Sequence, residues 1–293
     1  MKLFDDALPF YRGNFHTHTT CSDGVKTPAK AMAAYRAMGY DFLALSDHRR
    51  VTWPLSDVPD GLLMLPAIEL DYTLPCEVVH IVGVGVDASV AAGYDGKQPP
   101  QHGIDLIRKA GGRAILCHPS WSLNSTDTIA SLHGLCGAEV YNSVSTAPYN
   151  ALRADSSAIL DAAAAHGALL PLLANDDTHF YGSELGAAWN MVQAESLTQA
   201  DILDALDAGR FYATQGPEIH QIELVDGKLH VTCSPAAVIT FPSSAVWQND
   251  RTFTGDGLTE AFYEIDRKGD RWVRVQVVDA QGRSAWSSPI VVE

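Results

Sequence analysis

His16-Thr17-His18 sets two imidazoles two residues apart in an apolar, strand-like run. Side chains alternate along a strand, so both rings point to one side and can share a metal. Ser22-Asp23-Gly24 follows the same run. Later apolar runs also end in groups able to bind a hard or borderline cation. Ser46-Asp47-His48 closes one, Glu69 follows Leu65-Pro66-Ala67-Ile68, Cys117-His118-Pro119 and Asp177-Thr178-His179 close two more, and His80 lies within another. An unpaired carboxylate at the end of an apolar strand is costly to desolvate, whereas a divalent cation satisfies it. The repeated coincidence of strand end and ligand type therefore points to a metal cluster. Its ligands would be histidine and carboxylate, because the five cysteines (Cys21, Cys76, Cys117, Cys136 and Cys233) are odd in number and never spaced C-x-x-C.

The elements that must position these residues read as a βα repeat from about Gly13 to Arg210. Strands are expected over Gly13 to His18, Phe42 to Asp47, Leu62 to Leu70, Val78 to Val84, Arg113 to Cys117, Ala138 to Tyr141 and Leu169 to Ala174. Helices are expected after Thr27-Pro28 up to Gly39, from Leu152 to His166 before Gly167, and from Gln199 to Ala208 before Gly209. After Gly216-Pro217 the pattern changes to period-two alternation, as in Ile222 to Val225, Leu229 to Cys233 and Trp272 to Val278, with turns at Asp226-Gly227 and Gln281-Gly282. The expectation is a catalytic domain over residues 1–215 and a small β-sandwich-like domain over 216–293. With 293 residues, of which 46% are hydrophobic, the chain can bury a sizeable core.

H-x-H, S-D-G, S-D-H, a strand-end Glu, a His eleven residues later, C-H-P and D-x-H, in this order over residues 13 to about 180, resemble the PHP (polymerase and histidinol phosphatase) superfamily. Gly209-Arg210-Phe211-Tyr212-Ala213-Thr214-Gln215-Gly216-Pro217 before a β module is similar to a two-domain branch of it. The resemblance implies an α/β fold, a distorted (β/α)7 barrel, here with a small C-terminal all-β domain. It also implies one metal held by His16, His18, Glu69 and Asp177, a second by Glu69, His80 and His118 with Glu69 bridging, and a third by Asp23, His48 and His179. Mostly N and O ligands suit zinc, manganese or iron rather than calcium.

Two or three divalent ions would leave positive charge over the carboxylates Asp23, Glu69 and Asp177, which suits an anion such as a phosphate ester. A metal-bridging hydroxide, with Asp23, Glu69 and Asp177 supporting its formation, would attack phosphorus. The same site would serve a carboxylic ester, carbamate or amide, and a non-catalytic metal-binding or interaction protein is the alternative of another class. Arg49, Arg50 and Asn142 are candidate substrate contacts. Asp47, Glu139 and Asp176 either orient imidazoles or bind solvent and backbone. Trp121 and Tyr149 form a pocket wall or belong to the core. Cys117 reads as a small buried residue. Thirty-five acidic against twenty basic residues, a formal charge of −15, disfavour nucleic acid and anionic membrane and favour a small phosphorylated substrate. With no basic leader and no apolar run of membrane-spanning length, a cytoplasmic location is expected.

Overall fold

Thr27 starts the first helix: its hydroxyl accepts the Lys30 N–H at 3.4 Å, Pro28 takes the first helical position, and Gly39 at φ 79° follows the end. In chain order come β1 (Phe10–Asn14), α1 (Pro28–Ala37), β2 (Phe42–Leu45), β3 (Leu63–Thr73), β4 (Val78–Val84), α2 (Ala88–Gly93), α3 (Pro100–Lys109), β5 (Arg113–Leu116), α4 (Thr126–Ser131), β6 (Leu135–Asn142), α5 (Ser157–Ala165) and β7 (Leu172–Asn175). They are followed by β8 (Trp189–Gln193), α6 (Gln199–Asp207) and β9 (Phe211–Thr214), two strands and a helix of which only the helix is expected from sequence. The computed structural model describes residues 2–266 and 268–292. Met1 and Glu293, the outer bounds of the two expected domains, lie outside the described residues, as does Arg267.

The α/β class is observed, and where a distorted (β/α)7 barrel is expected the strands form a large mixed sheet that does not close. β1, β2 and β3 are parallel, β5, β6 and β7 are parallel, and β4 runs antiparallel to both β3 and β5. Closure would need a ladder between β7 and β1. The outer edge of β1 is instead taken by β8, antiparallel from Phe10↔Gln193 to Gly13↔Asn190. Only beyond the end of β1 does the chain meet the continuation of β7, through the single parallel bridge Thr17↔Thr178. Asparagine side chains occupy the gap: Ala174 N–H donates to Asn190 Oδ1 at 3.0 Å, and Phe15 N–H to Asn175 Oδ1 at 2.9 Å. The sheet is nonetheless strongly curled, since Phe15, Phe42, Leu65, Val82, Ile115, Leu173 and Phe211 from seven segments pack into one cluster, with α6 residues Ile202 and Leu206 joining it.

The last part of the chain contains β10 (Ile219–Val225), β11 (Lys228–Thr240), β12 (Thr252–Glu264), β13 (Trp272–Val273), β14 (Gln276–Val278), β15 (Ser284–Ser287) and β16 (Ile290–Val291). No helix forms among its described residues, as the period-two alternation predicts. Asp226 and Gly227 turn β10 into β11 with φ of 49° and 78°. β15 pairs with β9, so a 14-stranded sheet runs from the barrel-like part into the β module. Arg274, 2% exposed, adds a bidentate ion pair to Asp161 of α5, at 2.8 and 2.7 Å.

Candidate metal centre

The chain just beyond the ends of β1, β2, β5 and β7 converges on Glu69, inside β3, and His80, inside β4. β1 stops at Asn14, so His16 and His18 flank the bridging residue Thr17 rather than sitting inside the strand. Asp177 and His118 sit at positive φ, 51° and 33°, at the turns that follow β7 and β5. Glu69 is 1% exposed and lies on β3 beside its bridge partner His48.

The two oxygens of Glu69 face different histidines. Oε2 lies 3.3 Å from His16 Nε2, 3.0 Å from His18 Nε2 and 3.1 Å from His48 Nδ1. Oε1 lies 2.8 Å from His80 Nδ1 and 3.6 Å from His118 Nε2. Asp177 Oδ1 is 3.1 Å from both His16 Nε2 and His18 Nε2. Yet His16 Nε2, His18 Nε2, His48 Nδ1, Glu69 Oε2 and Asp177 Oδ1 are all buried without a hydrogen-bond partner. Five buried polar atoms converging without hydrogen-bond geometry demand an explanation. Ligand atoms about 2.0–2.2 Å from one shared ion stand roughly 3.0–3.5 Å apart, which is the spacing found. The donor set therefore fits a divalent metal. Nearer the mouth, His179 Nε2 and His48 Nε2 lie 3.4 and 3.5 Å from half-exposed Asp23, and His18 Nδ1 is 3.6 Å away.

The other ring nitrogen of several histidines is anchored. His16 Nδ1 meets Glu139 Oε1 at 2.8 Å, His18 Nδ1 meets Ser22 Oγ at 3.3 Å, His118 Nδ1 meets Ser122 Oγ at 2.9 Å, and His179 Nδ1 meets the Asp177 carbonyl at 2.8 Å. Such partners fix ring orientation and aim Nε2 inward. Burial alone would raise the pKa of Glu69, but His16, His80 and His48 hold it well below the usual carboxylate range. Burial likewise pulls His179 down, and Asp177 and Asp23 outweigh it, placing it at about 9.

No family model and no curated protein matches the sequence. Among solved structures, a two-domain protein from Bacteroides vulgatus containing a predicted PHP-like metal-dependent phosphoesterase superposes with a TM-score of 0.56 at 17% identity, covering 99% of this chain and 96% of that one. The chain has the fold of the two-domain PHP-like proteins. PsfC from Pseudomonas syringae gives a TM-score of 0.48 at 12% identity over 67% of this chain and 88% of its own. An amidohydrolase from Chromobacterium violaceum gives 0.42 at 18% identity, over 59% and 89%.

The PHP-like fold brings His16, His18, Asp23, His48, Glu69, His80, His118, Asp177 and His179 together, with Glu139 and Asn142 in contact with them and the other candidates elsewhere. Arg49, in a left-handed turn at φ 56°, points at Asp71 in a bidentate pair of 2.6 and 2.7 Å, and neither Arg49 nor Arg50 lines the cavity over the cluster. Asn142 is buried beneath the cluster, donating to Glu139 at 2.8 Å and to Asp177 at 3.2 Å, so it is placed to hold carboxylates rather than substrate. Of the three expected supporting carboxylates, only Glu139 touches an imidazole. Asp47 accepts from Thr19, Ser22 and Thr52 and ties down the segment that presents Asp23. Asp176 collects the N–H groups of Gly186, Ala187 and Ala188 and the Tyr35 hydroxyl. Cys117 is buried, its thiol bonded to the Ile115 carbonyl and its pKa pushed up by burial. Trp121 lines the cavity, and Tyr149 stacks on Phe180, which also lines it. Sequence reasoning missed Ser22 and Ser122, although each stands four residues after the histidine it anchors, a repeated spacing that was there to be read.

Proposed function

We propose that the chain is a metal-dependent hydrolase, and specifically a phosphoesterase acting on a small phosphorylated metabolite. The observation that carries this reading is Glu69, one buried carboxylate whose two oxygens face two separate sets of histidines. His16, His18, Glu69 and Asp177 would hold one ion, Glu69, His80 and His118 a second, and Asp23, His48 and His179 a third. Zinc, manganese or iron suits this N/O donor set. Bound divalent ions supply Lewis-acid chemistry, lowering the pKa of coordinated water and neutralising charge on a phosphoryl group.

The chain's own residues do the rest. Glu139 holds His16, and Ser22 and Ser122 hold His18 and His118, so the inward nitrogens are aimed before substrate arrives. Asn142 supports Glu139 and Asp177 from below. The cavity above, about 240 Å³, is walled by Trp121, Val144 and Phe180, which limit water at the reacting face. In the overall reaction a water oxygen bonds to phosphorus, the bond from phosphorus to the ester oxygen breaks, and that oxygen leaves with a proton. All nine candidate ligands precede residue 180, so the chemistry belongs to the region before 216, with the β module as its support.

The test is product analysis on the metal-loaded full chain with phosphate monoesters and diesters beside carboxylic esters, carbamates and amides. Metal-dependent phosphate release supports the reading, and Glu69→Gln should abolish it. Hydrolysis confined to the carbon substrates would overturn the phosphoester assignment while keeping the metal hydrolase.

A further inference from the structure

The cavity over the cluster has an unusual wall for an anion site: none of the described residues lining it is a lysine or arginine. Apart from the cluster itself, its surface is Trp121, Val144, Ser145, Asn150 and Phe180. Trp121 abuts the histidines on one side of Glu69, its ring centroid 4.9 Å from His118 and 5.9 Å from His80, edge-on to both. Phe180 abuts the mouth group, 6.2 Å from His179.

Both rings are held in place. Trp121 Nε1 donates to Asn150 Oδ1 at 3.0 Å, and Asn150 Nδ2 donates in turn to the Val144 carbonyl at 2.9 Å. Phe180 stacks on Tyr149 at 4.5 Å with 5° between the planes. The N–H groups of Phe180, Tyr181 and Gly182 all donate to the buried Glu184 carboxylate, at 2.7, 2.6 and 3.0 Å. Phe180 nevertheless stays 51% exposed. A rigidly mounted, half-exposed aromatic ring beside a polar cluster is a surface suited to a flat ligand group, because its ordering entropy is already spent.

Charge and size narrow the ligand further. The positive charge in this cavity is what bound metals would bring, so a second phosphate or carboxylate on the substrate would find no cationic partner, in a chain of net charge −15. A cavity of about 240 Å³ falls below the roughly 300–1,000 Å³ of sites for drug-sized ligands. It suits one phosphoryl group and one ring.

We propose that the cavity selects phosphate monoesters whose organic part is a single planar aromatic or heteroaromatic ring with no second anionic group, and that Trp121 and Phe180 determine this specificity. The proposal rests on the phosphoesterase reading and names its substrate class.

The test uses the metal-loaded full chain with benzyl phosphate, β-glycerol phosphate and fructose 1,6-bisphosphate. Benzyl alcohol and glycerol are comparable leaving alcohols, so the comparison reports the ring rather than leaving-group chemistry. Benzyl phosphate is expected to have a kcat/KM at least about tenfold above the other two. Trp121→Ala should lower that value about tenfold, mostly through KM, and lower turnover of β-glycerol phosphate by clearly less, while Trp121→Phe restores most of the loss. Phe180→Ala, at an exposed position where folding is not at stake, should act in the same direction. Equal or better turnover of β-glycerol phosphate or the bisphosphate overturns the inference alone, as does an equal effect of both alanine variants on all three substrates. Absence of phosphate release from all three overturns the inference, and the phosphoesterase reading falls with it only where diesters are left intact as well.

Discussion

Glu139 is the residue on which the geometry of His16 depends. Its carboxylate accepts from His16 Nδ1, Asn175 Nδ2, Asn142 Nδ2 and the His118 N–H, four donors on one acid-only acceptor. Glu139→Gln brings an amide NH2 into that ring of donors, so His16 loses its fixed orientation. Metal affinity is expected to fall about 10–100-fold with the protein still folded, measured by metal titration alongside thermal unfolding. Unchanged affinity would remove Glu139 from the account. The charges make a second prediction. Asp177, Glu69 and Glu139 raise His16 against the effect of burial, and Asp177 and Asp23 raise His179 to about 9. A histidine whose folded pKa exceeds its unfolded value of about 6.5 stabilises the fold fully below that pH, and the contribution is lost as pH rises through the folded value. The melting temperature of the metal-free chain should therefore fall between about pH 6.5 and 9, and an added divalent metal should restore most at the upper end, where it displaces fewer protons. A flat profile would contradict the pairing. The candidate ligands were legible in the sequence because most of them stand at or just past the end of an apolar run, while Glu69 and His80 fall inside β3 and β4. The direction of Arg49 was not, because a left-handed turn decides it, nor was the depth of Asn142, which lies at the end of β6 like a ligand but one layer beneath the cluster.

At the scale of elements, apolar runs announced β2 to β7 to within a few residues, since each is largely buried and bounded by turn residues. β8 escaped because two of its five residues, Asn190 and Gln193, are polar, and they are buried to serve neighbouring backbone: Asn190 bonds Ala174, and Gln193 bonds Asp5 and Leu8. A polar residue spent on the gap between β7 and β8 looks like a loop residue until the gap is seen. The expected distorted barrel stays open because β8 takes the edge of β1 that closure would need. Packing of β1 on β2 also depends on one small residue. A Cβ on Gly13 would stand 2.0 Å from the Phe42 ring, which is buried in the central cluster. Gly13→Ala must displace that ring and should cost about 1–3 kcal/mol of stability, read as a lower urea midpoint with an unchanged slope. Full stability would mean the ring has room that the close packing does not suggest.

Across the whole molecule, the change of pattern after Gly216-Pro217 marked where helices stop, but not that the sheet carries on. The β9–β15 pairing and the Arg274–Asp161 ion pair join the β module to the region that carries the cluster. Alternation gives the faces of a strand and is silent about which distant strand will lie beside it. Among the described residues no helix is long and apolar enough to cross a membrane. The central claim is that converging, unpartnered nitrogens and oxygens around Glu69 exist to hold metal ions. The direct measurement is the divalent metal content per chain of the purified protein, determined side by side with Glu69→Gln after both are shown to be folded. Two or more ions per chain, falling sharply in Glu69→Gln, is the predicted result. No bound metal in the folded protein after exposure to zinc, manganese or iron, or the same content in both, would contradict it.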